Sequence, residues 1–377
     1  MYSIQSGPPC SHPKPDEATE DIPLQDLAPT STGISDRDDQ SNRFSEAPIL
    51  AASRNGNLNW MKALLNEDPA LVSQTAPSGI SKHPVSPLHI TANEGHVEAT
   101  KYLLDTALQD LSEAEKADVA INLMTLRFDK KTTPFYFATL NANVKVAGTF
   151  LKCLLALPET DISRALVAVM NAARKDSETP LCSVIKRGDD QMVHLFMQSL
   201  SLVPEAQRAD TIIGVLAPEK QGKGNWQPLH LAASLGRSSI IKLMLDTVSV
   251  IPEHERSKVV RQVVNATDAR GATPLLIAVQ GNFGRIVDYI LSVITLVPPS
   301  EMAELTNALV NSTDKNRETP LYAAASKSYR HILATLLEQG ADPELARVRC
   351  VPGRCRRSNS PHQLARQGGS KTKGLLA

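Results

Sequence analysis

A short phrase recurs at a nearly fixed interval, and that interval limits what this 377-residue chain can fold into more than any other feature. The copies are Ser86-Pro87-Leu88-His89, Thr133-Pro134-Phe135, Thr179-Pro180-Leu181-Cys182, Gln227-Pro228-Leu229-His230, Thr273-Pro274-Leu275 and Thr319-Pro320-Leu321. Their prolines are spaced by 47, 46, 48, 46 and 46 residues. Ala47-Pro48-Ile49-Leu50 is a weaker earlier copy and Ser360-Pro361-His362-Gln363-Leu364 a truncated later one. A regular period of this order means one supersecondary unit stacked on copies of itself.

Each phrase has a physical reading. Thr or Ser caps a helix N-terminus with its hydroxyl, and Pro takes the first helical position, where its missing N–H costs nothing. A large apolar residue and then small ones, as in Ala232-Ala233 or Ala323-Ala324-Ala325, let neighbouring helices approach. The first helix is expected to stop at Gly56, Gly95, Gly188, Gly236 or Gly281, glycine being the usual left-handed terminator. A second apolar-periodic helix follows, as in Ile240-Ile241-Lys242-Leu243-Met244-Leu245.

Asp268-Ala269-Arg270-Gly271-Ala272-Thr273-Pro274-Leu275, Pro228-Leu229-His230-Leu231-Ala232-Ala233 and Gln339-Gly340-Ala341-Asp342-Pro343 resemble the hairpin, first turn and end of an ankyrin repeat. The resemblance implies stacked helix pairs with hairpin tips, and protein binding as the default activity. The period departs from the family, whose repeats run about 33 residues. The surplus has its own pattern. Pro158, Pro204, Pro252 and Pro298 open charged, helical-looking segments, and Asn171, Asn265 and Asn311 each stand nine residues before a repeat proline. Val259, Val260, Val263 and Val264 form one helical stripe there. The expectation is an all-α solenoid of about seven units, beginning near 48, 87, 134, 180, 228, 274 and 320, with an extra short helix between most repeats. Lengthened repeats of this kind resemble those of bacterial secreted effector proteins.

The array is bounded by two unlike ends. Residues 1–46 are rich in Ser and Pro, carry nine acids against three bases, and hold few large apolar residues. Such a segment is expected to be disordered. The array spans 47–343, and residues 344–377 carry eight bases against one acid, with the partial capping repeat near 361. Lys+Arg and Asp+Glu are both 40 overall, which speaks against nucleic acid as partner. Five scattered cysteines do not make a disulfide framework, and no apolar run approaches the roughly 18 residues of a membrane helix. A monomer in the cytoplasm is expected. The Ser-rich start, with no acid before Asp16, is similar to the export segments of proteins delivered into a host cell, so secretion stands beside the reading of an ordinary intracellular scaffold or inhibitor.

No catalytic constellation, cofactor site or metal site emerges. His89 and His230 occupy the motif position where imidazole bonds backbone of a neighbouring turn, and Cys182 replaces that histidine as a packing residue. Cys350, Cys355 and His362 are too few and wrongly spaced for zinc. Glycine-rich phosphate loops and nucleophile elbows are absent. The expected partner is a protein. Its candidate contacts are Trp226 and Arg270 at hairpin tips and Arg354, Arg356 and Arg357 in the basic C-terminal cluster. Trp60 is expected in the core of a second helix, and Leu231 in a central inter-repeat interface.

Overall fold

The structure, a computed structural model, describes residues 47–77, 84–128, 132–174, 178–218 and 226–347. Seven first helices start at the motif prolines: α1 (Pro48–Arg54), α3 (Pro87–Glu94), α6 (Pro134–Leu140), α9 (Pro180–Arg187), α12 (Pro228–Ser234), α15 (Pro274–Gln280) and α18 (Pro320–Ser326). Seven second helices run beside them: α2 (Leu58–Glu67), α4 (Val97–Leu108), α7 (Val144–Leu155), α10 (Asp190–Ser201), α13 (Ser238–Asp246), α16 (Gly284–Ser292) and α19 (Arg330–Glu338). Five third helices complete the middle repeats: α5 (Glu113–Thr125), α8 (Glu159–Met170), α11 (Glu205–Leu216), α14 (Glu253–Val259, continued by a π turn to Val264) and α17 (Pro299–Val310). A short α20 (Pro343–Arg347) follows α19. Among the described residues, regular strand is confined to β1 (Ala76–Pro77) and β2 (Pro84–Val85), which pair antiparallel.

Each row stacks on itself. Consecutive first helices pack together, as do consecutive second helices, and α5, α8, α11 and α14 form the third row. Pro158, Pro204, Pro252 and Pro298 sit at the N-caps of the third helices, and Asn171, Asn265 and Asn311 end them. The valine stripe 259, 260, 263 and 264 is buried. Exposed residues tie this row together at the repeat period: Arg164 pairs with Asp118 at 2.7 Å, Lys258 with Asp210, and Arg261 with Glu304 at 2.9 Å. Solvent screens such exposed pairs, which hold register more than they add stability. The guanidinium of Arg208 reaches further, donating to Val250 O at 2.6 Å, and Arg256 repeats the bond to Leu296 O at 3.0 Å.

The first helices end in one left-handed residue per repeat: Gly56, Gly95, Ala142, Gly188, Gly236, Asn282 and Ser328. In the sixth repeat this corrects the sequence expectation. Gly281 is right-handed with φ −83° and Asn282 takes φ +60°. Gly281 is glycine for space, since a Cβ there would lie 2.3 Å from the Phe283 ring.

The caps follow the motif. Thr133, Thr179, Thr273 and Thr319 accept from the backbone three residues on. Ser86 lies 2.6 Å from Nδ1 of His89, whose Nε2 faces Leu126 O at 3.0 Å. That geometry assigns the tautomer protonated at Nε2, with Nδ1 accepting. His230 makes the corresponding bonds to Ala266 O and Ala272 O, both at 3.1 Å. Its cap, however, is Gln227. Both Gln227 Oε1 and His230 Nδ1 are buried acceptors without a partner, a costly pair.

Two expectations about packing are overturned. Trp60 is 39% exposed rather than core. Its counterparts Ala99, Val146, Met192, Ile240, Ile286 and Ile332 are all buried. Their helices each pack on the second helix of the preceding repeat, and among the described residues α2 has no second helix before it. Leu231 is only partly buried, on the open side of α12, while Leu229 fills the interface and is 1% exposed.

Three outcomes are predicted. Leu229→Asp should cost more than about 4 kcal/mol and collapse the array, whereas Leu231→Asp should cost about 1 kcal/mol, read by denaturant titration. Gln227→Thr should stabilise by about 1 kcal/mol, because its hydroxyl can cap α12 and donate to His230 Nδ1 as Ser86 does for His89. Burial lowers the His89 pKa from 6.5 to about 4, and burial lowers that of His230 as well. The unfolded chain therefore takes up protons first as pH falls. Stability is intact above pH 6.5 and declines from there to pH 4, His89 alone removing about 3 kcal/mol by pH 4. A melting temperature flat across that window would contradict the neutral buried imidazoles.

Candidate interaction surface

One side of the array is formed by the row of first helices. On each helix the fourth residue from the repeat proline points to that side, reinforced by residues one turn later. In the second and third repeats these positions are Ile90 and Phe137, which with Val85, His89 and Phe128 line a dimple of about 30 Å³ rimmed by Arg54, Asn93 and Glu94. Ile90 and Phe137 are buried laterally by neighbouring helices, and the rings of Phe128 and Phe137 meet at 6.0 Å. In the fourth repeat the same position is Ser183, followed by Lys186 and Arg187. The fifth presents Leu231 and Leu235, the latter 44% exposed.

The tips lie at one end of the first helices. Asp268 is buried and accepts from the backbone N–H of Arg270 at 2.8 Å and of Ala272 at 2.9 Å. Asp314 does the same for Asn316 and Glu318, both at 2.8 Å. The two tips are joined where Lys315 N donates to Arg270 O at 2.8 Å. Arg270 stands outward from this frame, its side chain 57% exposed and tied at Nε to Asp268. Trp226 is half-buried just ahead of the α12 cap, one tip away from Arg270. Arg354, Arg356 and Arg357 lie outside the described residues, as do residues 1–46 and the partial cap near 361.

The residues weighed for chemistry have packing roles. His89 and His230 bond backbone in the neighbouring turn, as their motif position implies. Cys153 and Cys182 are half-buried thiols. Burial pushes Cys153 up to about 12 and raises Cys182 as well, which keeps both protonated and unreactive at neutral pH. Cys350, Cys355 and His362 lie outside the described residues. Among the described residues no helix is long and apolar enough to cross a membrane.

Sequence reading missed the apolar positions Ile90, Phe137 and Leu235. The signal was present: the residue after the motif histidine position is Ile90, Phe137, Ser183, Leu231, Ile277 and Ala323 in successive repeats, and it varies while the motif around it holds.

Residues 250–347 match the family model described as ankyrin repeats, in three copies. No curated protein matches the chain. Among solved structures the chain is similar to the ankyrin repeat domain of Bcl-3, with TM-score 0.48 and 17% identity over 75% of this chain and 98% of that one. It is similar to an ankyrin repeat protein from Leishmania major, with TM-score 0.47 and 14% identity over 86% and 96% of the two chains. It is similar also to an ankyrin repeat domain from Acinetobacter baumannii AYE, with TM-score 0.43 and 18% identity over 68% and 98%. The matched segment shares its proline start, left-handed terminator and paired helices with the repeats upstream, back to Pro48, so residues 250–347 carry ankyrin repeats and the upstream units are built on the same plan.

Proposed function

We propose that the chain is a protein-binding scaffold that holds its partner across the first-helix side and the adjoining tips. Stacked repeats offer an extended surface suited to this role. The observation that carries the reading is the open apolar pair Leu231 and Leu235, on the same side as the apolar dimple walled by Ile90 and Phe137. Trp226 and Arg270 flank that side at the tips, and Trp and Arg are the residue types that most often dominate interface energies. Arg354, Arg356 and Arg357 are proposed as further contacts from the basic segment 344–377. The partner is a protein and the array acts as a single copy.

The reading extends to delivery. Residues 1–46 are taken as a separate acidic Ser/Pro-rich segment that carries the array, 47–343, out of a bacterium into a host cell, where it binds a host protein. The lengthened period and the Ser-rich start support this. An intracellular scaffold or inhibitor without export is the competing reading, and a fusion of residues 1–50 to a reporter separates the two. Export of the reporter by a type III system favours delivery, and its retention favours the scaffold.

Binding is tested by capturing the partner on the full chain and titrating it against variants. Trp226→Ala and Arg270→Glu should each weaken binding about fivefold or more, the effect of losing a contact worth 1 kcal/mol. Lys145→Glu, on the far side of the array, should leave affinity unchanged. Equal affinity for all three variants would remove the first-helix side and tips as the binding surface.

A further inference from the structure

The row of second helices has an open end. On α2, Trp60 and Leu64 stand one turn apart on a single stripe, the indole 39% exposed and the leucine partly buried. The six later helices of the row carry apolar residues at both positions, counted from the helix start, and bury them all. The counterparts of Leu64 are Leu103, Phe150, Phe196, Met244, Ile290 and Leu336, none more than 1% exposed. Each of those helices packs on a second helix before it, which α2 lacks among the described residues. Met61 and Leu65, one residue further round α2, are 0% and 1% exposed. The opening is thus confined to the stripe that a preceding helix would cover. A stack of repeats needs a polar outer face at each end to stay soluble. This end presents an indole and a leucine instead.

We infer that the stripe is covered by a segment of the same chain, Asp21-Ile22-Pro23-Leu24-Gln25-Asp26-Leu27-Ala28, which lies outside the described residues. Composition selects it first. Between residues 5 and 43 the large apolar residues are Ile22, Leu24, Leu27 and Ile34, and only the first three cluster. Spacing selects it next. Leu24 and Leu27 are three residues apart, so one helical turn sets them on one face, as α2 sets Trp60 and Leu64. Pro23 suits the opening turn of such a helix and Pro29 the position past its end. Reach selects it last. Residues 28–46 join Leu27 to Ala47, where α1 begins, and extended chain of that length spans about 60 Å. The path is shorter than this, because α1 is only about 10 Å long and a packed helix lies about 10 Å away. The tether holds the segment at a roughly millimolar effective concentration, so a contact too small to retain a separate protein suffices here. The inference concerns the end of the array, not the first-helix side, and is independent of the binding proposal.

The test reads Trp60 directly. The chain has two tryptophans, so Trp226→Phe in the full chain leaves Trp60 as the only indole. Its emission and its quenching by acrylamide are then compared with those of the same chain carrying Leu24→Asp and Leu27→Asp together, and of one carrying Ile34→Asp. A far-UV melt of each shows that the array is folded. In the parent chain Trp60 should emit to the blue and resist quenching. The double substitution should shift the emission to the red and raise the quenching constant several-fold, while Ile34→Asp changes neither. A synthetic peptide of residues 18–31, added in excess to the double variant, should restore the shielding. Equal quenching of Trp60 in the parent chain and the double variant overturns the inference. Shielding that survives the double substitution and grows with protein concentration overturns it as well, and places a second copy of the chain on the stripe.

Discussion

The last carbonyls of a helix have no partner within it, and this array solves that problem once per repeat with a side chain from the next repeat. His96 Nε2 faces Arg54 O at 3.0 Å, Asn143 donates to Ala92 O at 2.9 Å, and Arg187 to Leu140 O at 2.6 Å. Arg237 then donates to Lys186 O at 2.9 Å and Lys327 to Gln280 O at 2.7 Å. Between the fifth and sixth repeats the donor is replaced by Phe283, whose ring lies 2.7 Å from where a Cβ on Gly236 would stand. Gly236 therefore serves two demands, a φ of +68° and the close approach of that ring. Each clasp fixes the angle and register of one repeat on its neighbour, and the alignment of the binding side follows from the alignment of the clasps.

Much of this was legible locally. The proline period located all seven first helices, and Pro-to-Asn brackets located α8, α14 and α17, because a helix start and stop are short-range chemistry written in adjacent residues. The roles of His89 and His230 followed from their place in the motif. Trp60 misled because its position is buried everywhere else in the array, and only its place at the first described repeat leaves it bare. Leu231 misled because it stands two residues from Leu229, half a turn around the same helix, and a run of Leu and Ala does not say which side meets a neighbour. Gly281 misled because a Gly-Asn pair offers two candidates for the left-handed residue, and the choice falls to the ring of Phe283. The clasps were not legible at all. Their partners are 42 to 51 residues apart, and nothing near Lys186 announces that Arg237 will reach its carbonyl.

The candidate binding side was half legible for a related reason. Arg270 could be placed at a tip because Asp268 and Gly271 write a turn in five residues. Leu235 could not, since its exposure depends on Gly236 and on where the α12 clasp sets the next helix. The third row adds thickness away from this side, through Arg208, Arg256 and the exposed pairs, without covering it.

The span of the clasps has a consequence for synthesis. As the chain leaves the ribosome, the clasp on a first helix cannot close until roughly one further repeat has emerged, and until then its end carbonyls are left to water. Each new unit thus secures the one made before it, and the array is suited to zip up from its N-terminal end at the pace of translation, with only the newest repeat left open at any moment.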